Sequence, residues 1–242
     1  MIRFIITISL VVLFLVCSIP LLITESLIGL VWPKARDYSC LYIIRTILRF
    51  LAWTAGARPT VIGLENIPKD RAVLFVGNHR SYFDILLTYM NMSRPTGYIA
   101  KIEMSKFPLI VHWMRCIHCL FLDRNDLKQG LQTILAGAEK IKNGISIFIF
   151  PEGTRNRGTD ICLPFHEGSF KVAVKAKAPV IPVCITGSSA IWEDQFPRMV
   201  KAPVTVEFGK PVLLDELPPE DKKHPGAYVQ KLIEEMYRSR SN

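Results

Sequence analysis

Gly77-Asn78-His79-Arg80-Ser81-Tyr82-Phe83-Asp84 follows the apolar run Ala72-Val73-Leu74-Phe75-Val76 and precedes Ile85-Leu86-Leu87-Thr88-Tyr89-Met90. The first run reads as a buried strand and the second as a helix. A histidine and an aspartate therefore sit where a strand hands over to a helix, at the sheet edge where α/β proteins place their chemistry. On one regular helix, His79 and Asp84 would point about 140° apart at 3.6 residues per turn. They can meet only if the chain turns between them, with His79 on the loop and Asp84 in the first helical turn. Such a pair makes a general base: the carboxylate fixes the imidazole tautomer and stabilises the imidazolium formed on proton uptake. The plain alternative is a core histidine beside a helix-capping aspartate, and a short motif alone does not separate the two.

A second apolar run, Ile145-Ser146-Ile147-Phe148-Ile149-Phe150, leads straight into Pro151-Glu152-Gly153-Thr154-Arg155-Asn156. Together, NHRSYFD and FPEGTRN resemble the glycerolipid acyltransferases, in particular those acting on 1-acyl-glycerol-3-phosphate. The family's blocks occur here in order: NHxxxxD, then Phe121-Leu122-Asp123-Arg124, then FPEGTR, then Val180-Ile181-Pro182-Val183. The resemblance covers about residues 55 to 210. It implies His79 as base and Asp84 as its orienter. Arg124 and Arg155 would hold the acceptor's phosphate. Glu152, Gly153 and Thr154 would sit at the acceptor's glycerol or hold the loop, and Ile181 and Pro182 would lie near the acyl chain. It further implies a lysophospholipid acceptor and acyl-CoA or acyl-ACP as donor co-substrate, with no cofactor and no metal. Two departures from the family pattern stand out. Asn156 replaces a common serine, and His118 or Cys119 stands where a glycine usually precedes the Asp-Arg strand.

Read from its own chemistry, Arg124 at a strand end can offer a planar, permanently charged fork to a phosphate, or pair with Asp123 or Asp126. Glu152 and Arg155 leave one tight loop with opposite charges and could pair internally. Gly153 lets a ligand approach the backbone there.

The chain has 242 residues, 50% hydrophobic and 21% charged, with net charge +9. That suits one α/β domain plus a membrane segment. A basic balance seeks phosphate on nucleic acid or anionic lipid. An apolar opening segment and the lack of an aromatic-and-basic module favour lipid over nucleic acid. The six cysteines lie mostly in apolar surroundings, as in a reducing compartment. His112, Cys116, His118 and Cys119 crowd together, but a zinc site needs a second ligand pair and none is evident. His166-Glu167 begins like a zinc-protease helix, yet Phe170 stands where the second histidine should be.

From Phe4 to Trp32 the only charge is Glu25. This run is long enough to span a bilayer, or, broken at Pro20 and Glu25, to lie as a kinked hairpin in one leaflet. Residues 37–53 read as a basic amphipathic helix, on the membrane in preference to the domain. The expected organisation is a membrane-anchoring helical segment over 1–54 and an acyltransferase domain over 55–242. The expected place is a bacterial inner membrane, facing the cytoplasm. Within the domain, Leu127, Leu131, Ile134, Leu135, Ala138 and Ile141 predict a helix packed by its apolar side and stopped at Gly144. Residues 217–226 read as a loop, and 227–238 as a closing helix. Alternating strands and helices predict an α/β fold with a mostly parallel central sheet flanked by helices. Two rival functions remain: acylation of another lysophospholipid or a lyso-aminolipid, and a non-catalytic membrane lipid-binding protein. The second predicts lost motif residues, and none of His79, Asp84, Glu152, Gly153 or Arg155 is lost.

Overall fold

The computed structural model describes residues 1–241. Three helices open the chain: α1 (Ile2–Cys17), α2 (Ile19–Val31) and α3 (Pro33–Ala55). There follow β1 (Ala57–Ile62), β2 (Leu74–Gly77), α4 (Phe83–Tyr89), β3 (Thr96–Lys101), α5 (Ile110–Cys116) and β4 (Leu120–Leu122). The second half holds α6 (Leu127–Lys142), β5 (Ser146–Ile149), α7 (Lys171–Ala176), β6 (Val180–Thr186), β7 (Ala202–Phe208), α8 (Pro219–Lys223) and α9 (Pro225–Ser241).

The seven strands form one sheet in the order β1-β7-β6-β2-β5-β3-β4. Every pair is parallel except β6 with β7. Both faces of the sheet are covered, which is why its central strands read as near-continuous apolar runs. Successive side chains of a strand point to opposite faces, so Phe75 joins one core while Leu74 and Val76 join the other. The Phe75 face packs against α3 and α4, and the Leu74 face against α6, α7 and α9.

The opening helices belong to this core. Cys40, Leu41, Ile44, Ala52 and Ala55 of α3 are buried in the Phe75-face cluster, and Leu51 is buried beside them in the helix. Arg45 and Arg49 donate to the carbonyls of Met92 and Met90, both at 3.0 Å. The basic side of α3 therefore grips the domain, which corrects the preference for the membrane. The break between α1 and α2 falls at Ser18, with a 49° bend. Pro20 sits in the first turn of α2, where its missing N–H leaves no intrahelical bond unmade. Glu25 is turned inward against α3 and accepts from the Ser39 hydroxyl at 2.6 Å, so its charge avoids the apolar outer face. Among the described residues no single helix is long and apolar enough to cross a membrane, whereas the bent α1–α2 pair passes by length and composition.

Two further expectations need correction. Residues 219–223 form α8 instead of continuing as loop, with Pro219 in its first turn. On α6, Ala138 and Ile141 are buried, but Leu127, Leu131 and Leu135 are exposed at 90%, 51% and 42%. Their i, i+4, i+8 spacing predicts a packed side, but the neighbouring stripe is the one that meets the sheet. Asp126 caps α6 by accepting from Lys128 N and Gln129 N at 2.9 and 3.0 Å.

Candidate active site

The two motifs leave the carboxyl ends of adjacent parallel strands, β2 and β5, and so emerge side by side. Asn78 carries the pairing of β2 with β6 one residue beyond the strand. Its side chain donates to Ile185 O at 2.9 Å and accepts from Ile185 N at 2.8 Å. The chain then turns, and Asp84 in the first turn of α4 faces back to His79.

His79 Nδ1 lies 2.8 Å from Asp84 Oδ2. The same oxygen accepts the peptide N–H groups of Arg80 and Ser81, each at 2.7 Å. An oxygen receiving two N–H donors is an acceptor, so Nδ1 carries the proton and Nε2 keeps a free lone pair. Asp84 is fully buried, and the imidazole is largely so. The ring stacks on Phe150, with centroids 4.2 Å apart. Its plane is thus held from one face and its edge from Nδ1. Such an imidazole can accept a proton at Nε2 from a hydroxyl placed beside it.

The second motif locks onto the first from below. Glu152 is buried, and its carboxylate accepts from His79 N at 2.6 Å and Leu163 N at 2.9 Å. Both of its oxygens are occupied in holding loops. Burial pushes its carboxyl above the usual range, against the two N–H donors that pull it down. Asn156, whose side chain holds Asp160 O at 2.8 Å, donates its peptide N–H to His79 O at 2.7 Å.

Gly153 takes a left-handed φ of 72°. A Cβ there would stand 3.3 Å from the His166 ring and 3.6 Å from the Arg124 guanidinium carbon. Arg124 is therefore beside the FPEGTR loop, exposed, and without an ion pair or hydrogen bond among the described residues. Neither Asp123 nor Asp126 pairs with it. Its donors are free for an anion. Arg155 lies with its guanidinium carbon 3.6 Å above the Tyr82 ring. Thr154 is exposed at the loop tip. Ile181 and Pro182 are buried within β6, and Ile181 belongs to the Phe75-face core. They stand in the sheet and do not line an open surface.

His118 supplies the backbone shape that glycine gives elsewhere. Its φ is 63°, in the left-handed region, and a Cβ on the facing Gly97 would collide with its carbonyl oxygen. Its Nε2 lies 2.9 Å from Asp37 and its Nδ1 3.3 Å from Lys140 Nζ. Burial holds this imidazole below its ordinary pKa, as does the nearby ammonium, against Asp37. Among the described residues no cluster of three or more metal-ligating side chains occurs, and all six cysteines are free thiols.

Sequence reasoning missed Tyr82, His166 and Glu193 at this site. Tyr82 lay inside the first motif but had no charge to mark it. His166 opens a zinc-protease pattern that Phe170 does not complete, so that pattern carries no signal for its place here. Glu193, contributed after β6, had no local signal.

The chain belongs to the acyltransferase family, whose model matches residues 58–186. Curated relatives include a 1-acyl-sn-glycerol-3-phosphate acyltransferase of Cocos nucifera, 31% identical over 85% of this chain and 65% of its own length. Another, of Borreliella burgdorferi, is 32% identical over 59% of this chain and 57% of its own. A probable enzyme of the same name from Mycoplasma pneumoniae is 34% identical over 69% and 63%. The chain thus spans about three fifths of the length of these relatives. The crystal structure of the 1-acyl-sn-glycerophosphate (LPA) acyltransferase PlsC from Thermotoga maritima superposes with a TM-score of 0.85 at 24% identity. That match covers 99% of this chain and 95% of the other, and it shows a shared fold, including the opening helices.

Proposed function

We propose that this protein transfers a fatty acyl group from an acyl thioester to the sn-2 hydroxyl of 1-acyl-glycerol-3-phosphate, giving phosphatidic acid for phospholipid synthesis. The observation that carries the reading is the His79–Asp84 pair, with the unpaired Arg124 beside one motif loop and Arg155 beside the other.

Arg124 and Arg155 take the acceptor's phosphate monoester and so bring its hydroxyl to His79 Nε2. His79 removes the hydroxyl proton as the oxygen attacks the thioester carbonyl. Asp84 stabilises the imidazolium that forms. The tetrahedral adduct then expels the thiolate, which takes the proton back from His79. No acyl-enzyme is formed, and the thioester is already activated, so the scheme uses no metal and no further cofactor.

Acyl-CoA and acyl-ACP both supply such a thioester. The acceptor lives in a bilayer, and the outward faces of α1 and α2 carry exposed Ile5, Val12, Leu13, Leu27 and Leu30. At about 20 residues per span neither helix crosses alone, so the bent pair is placed in one leaflet. The site then faces the cytoplasmic side of a bacterial inner membrane, where thioester donors are found.

The test compares acceptors. Purified protein in mixed micelles receives lysophosphatidate, lysophosphatidylcholine or monoacylglycerol, each with acyl-CoA and with acyl-ACP. Strong preference for lysophosphatidate is expected. Equal use of monoacylglycerol would contradict the assigned role of the two arginines.

A further inference from the structure

Glu193 opens a 3₁₀ turn, Glu193–Gln195, in the connection from β6 to β7, outside all four sequence blocks. Its carboxylate nevertheless reaches into both motifs. Oε2 accepts from the Ser81 hydroxyl at 2.7 Å, and Oε1 accepts from the Tyr82 peptide N–H at 2.8 Å. Oε1 also stands 3.5 Å from Nη1 of Arg155.

These contacts share one outcome. The turn between His79 and Asp84 is gripped from inside by Asp84 Oδ2, through Arg80 N and Ser81 N. It is gripped from outside by Glu193, through the next pair of groups along the chain. Arg155 is fixed on its face by the Tyr82 ring and on one edge by Glu193. Since Tyr82 is itself tied to Glu193, one carboxylate sets both surfaces that orient the guanidinium. At 3.5 Å the ion pair is longer than a charge-assisted hydrogen bond, and Arg155 makes no hydrogen bond among the described residues. The guanidinium is thus oriented while its donors stay available.

The neighbouring residue anchors the arrangement. Trp192 stacks on Phe4 of α1 at 5.7 Å between centroids and meets the Tyr82 ring at 5.9 Å. A simple helix-capping role for Glu193 would account for the bonds to Ser81 and Tyr82. It gives no reason for the third contact, to a cation from a different motif.

We propose that Glu193 is a positioning residue for the acceptor-phosphate site, holding Arg155 and the His79 loop in one fixed relation. The proposal rests on the acceptor reading given above. It predicts that loss of the Glu193 charge is felt by the phosphate-bearing acceptor and not by the thioester. Glu193→Gln keeps an amide oxygen for the Tyr82 N–H but removes the attraction for Arg155.

The experiment measures steady-state constants for lysophosphatidate and for acyl-CoA in the full chain. Its arms are the unchanged protein, Glu193→Gln, Arg155→Ala, the double variant, and Asp194→Asn as a neighbouring-acid control. Glu193→Gln is expected to raise the KM for lysophosphatidate about tenfold, more than it changes kcat, with the KM for acyl-CoA unmoved. In the Arg155→Ala background it should add less than about twofold. Asp194→Asn should change neither constant. An unchanged lysophosphatidate KM in Glu193→Gln overturns the proposal. So does a full additional tenfold loss on top of Arg155→Ala, or an equal rise in both KM values, which marks a merely structural role. Failure of the unchanged protein to acylate lysophosphatidate is a separate result, seen in its own arm, and it removes the acceptor reading and this proposal with it.

Discussion

Asp84 meets His79 with Oδ2 alone and leaves Oδ1 buried without a hydrogen bond among the described residues. Asp84→Asn can keep its oxygen at the Oδ2 position, with the two peptide N–H groups still satisfied. What it loses is the negative charge beside the imidazolium. The variant should fold and lose about 10²–10⁴-fold in transfer rate. Asp84→Ala strips the acceptor from both N–H groups and should also lose stability, at about 1–3 kcal/mol per unsatisfied buried group. Circular dichroism melts beside an initial-rate assay distinguish the two. Near-normal activity in Asp84→Asn would remove its assigned role.

Gly153→Ala places a methyl where the φ of 72° disfavours any side chain and where the His166 ring and Arg124 stand close. Strain of about 1–2 kcal/mol is expected. Displacement of Arg124 should raise the KM for lysophosphatidate more than that for the thioester. Denaturant titration and kinetics on the same preparation check both parts.

Glu152 has its carboxyl raised by burial, so the folded state binds its proton more tightly than the unfolded chain does. Its contribution is then greatest below the ordinary glutamate pKa. It falls as the pH rises from there to the raised folded value, and is constant above. The stability of the unchanged protein relative to Glu152→Gln should therefore decline across that window. Paired urea titrations from pH 4 to pH 7 measure it; a relative stability that rises with pH would show the opposite linkage.

His118 adopts φ 63° without being glycine. His118→Gly removes about 1–2 kcal/mol of backbone strain but also the Asp37 and Lys140 contacts, so its net effect should be small. His118→Val keeps the strain, worsens it by β-branching and loses the contacts, so it should destabilise clearly. Thermal melts that rank valine at or above glycine would contradict this account of the loop.

The sheet was legible because strands covered on both faces need apolar side chains at nearly every position, as in residues 72–76 and 147–149. The His79–Asp84 pair was legible because a strand end and a helix start forced a turn between them. The exposed stripe of Leu127, Leu131 and Leu135 was not, since periodicity reports a helical face without saying which face meets the sheet. The inward turn of Glu25 and the grip of Arg45 and Arg49 on Met92 and Met90 depend on partners distant in sequence. Glu193 was hidden for the same reason: its partners, Ser81, Tyr82 and Arg155, come from two other loops.

The most direct measurement is mass spectrometry of the lipid products formed by purified protein from lysophosphatidate and one acyl-CoA, run beside His79→Ala of matched fold. The account predicts phosphatidic acid carrying the donor's chain from the unchanged protein, and a rate at least about 10²-fold lower from His79→Ala. Comparable phosphatidic acid from both proteins would contradict it.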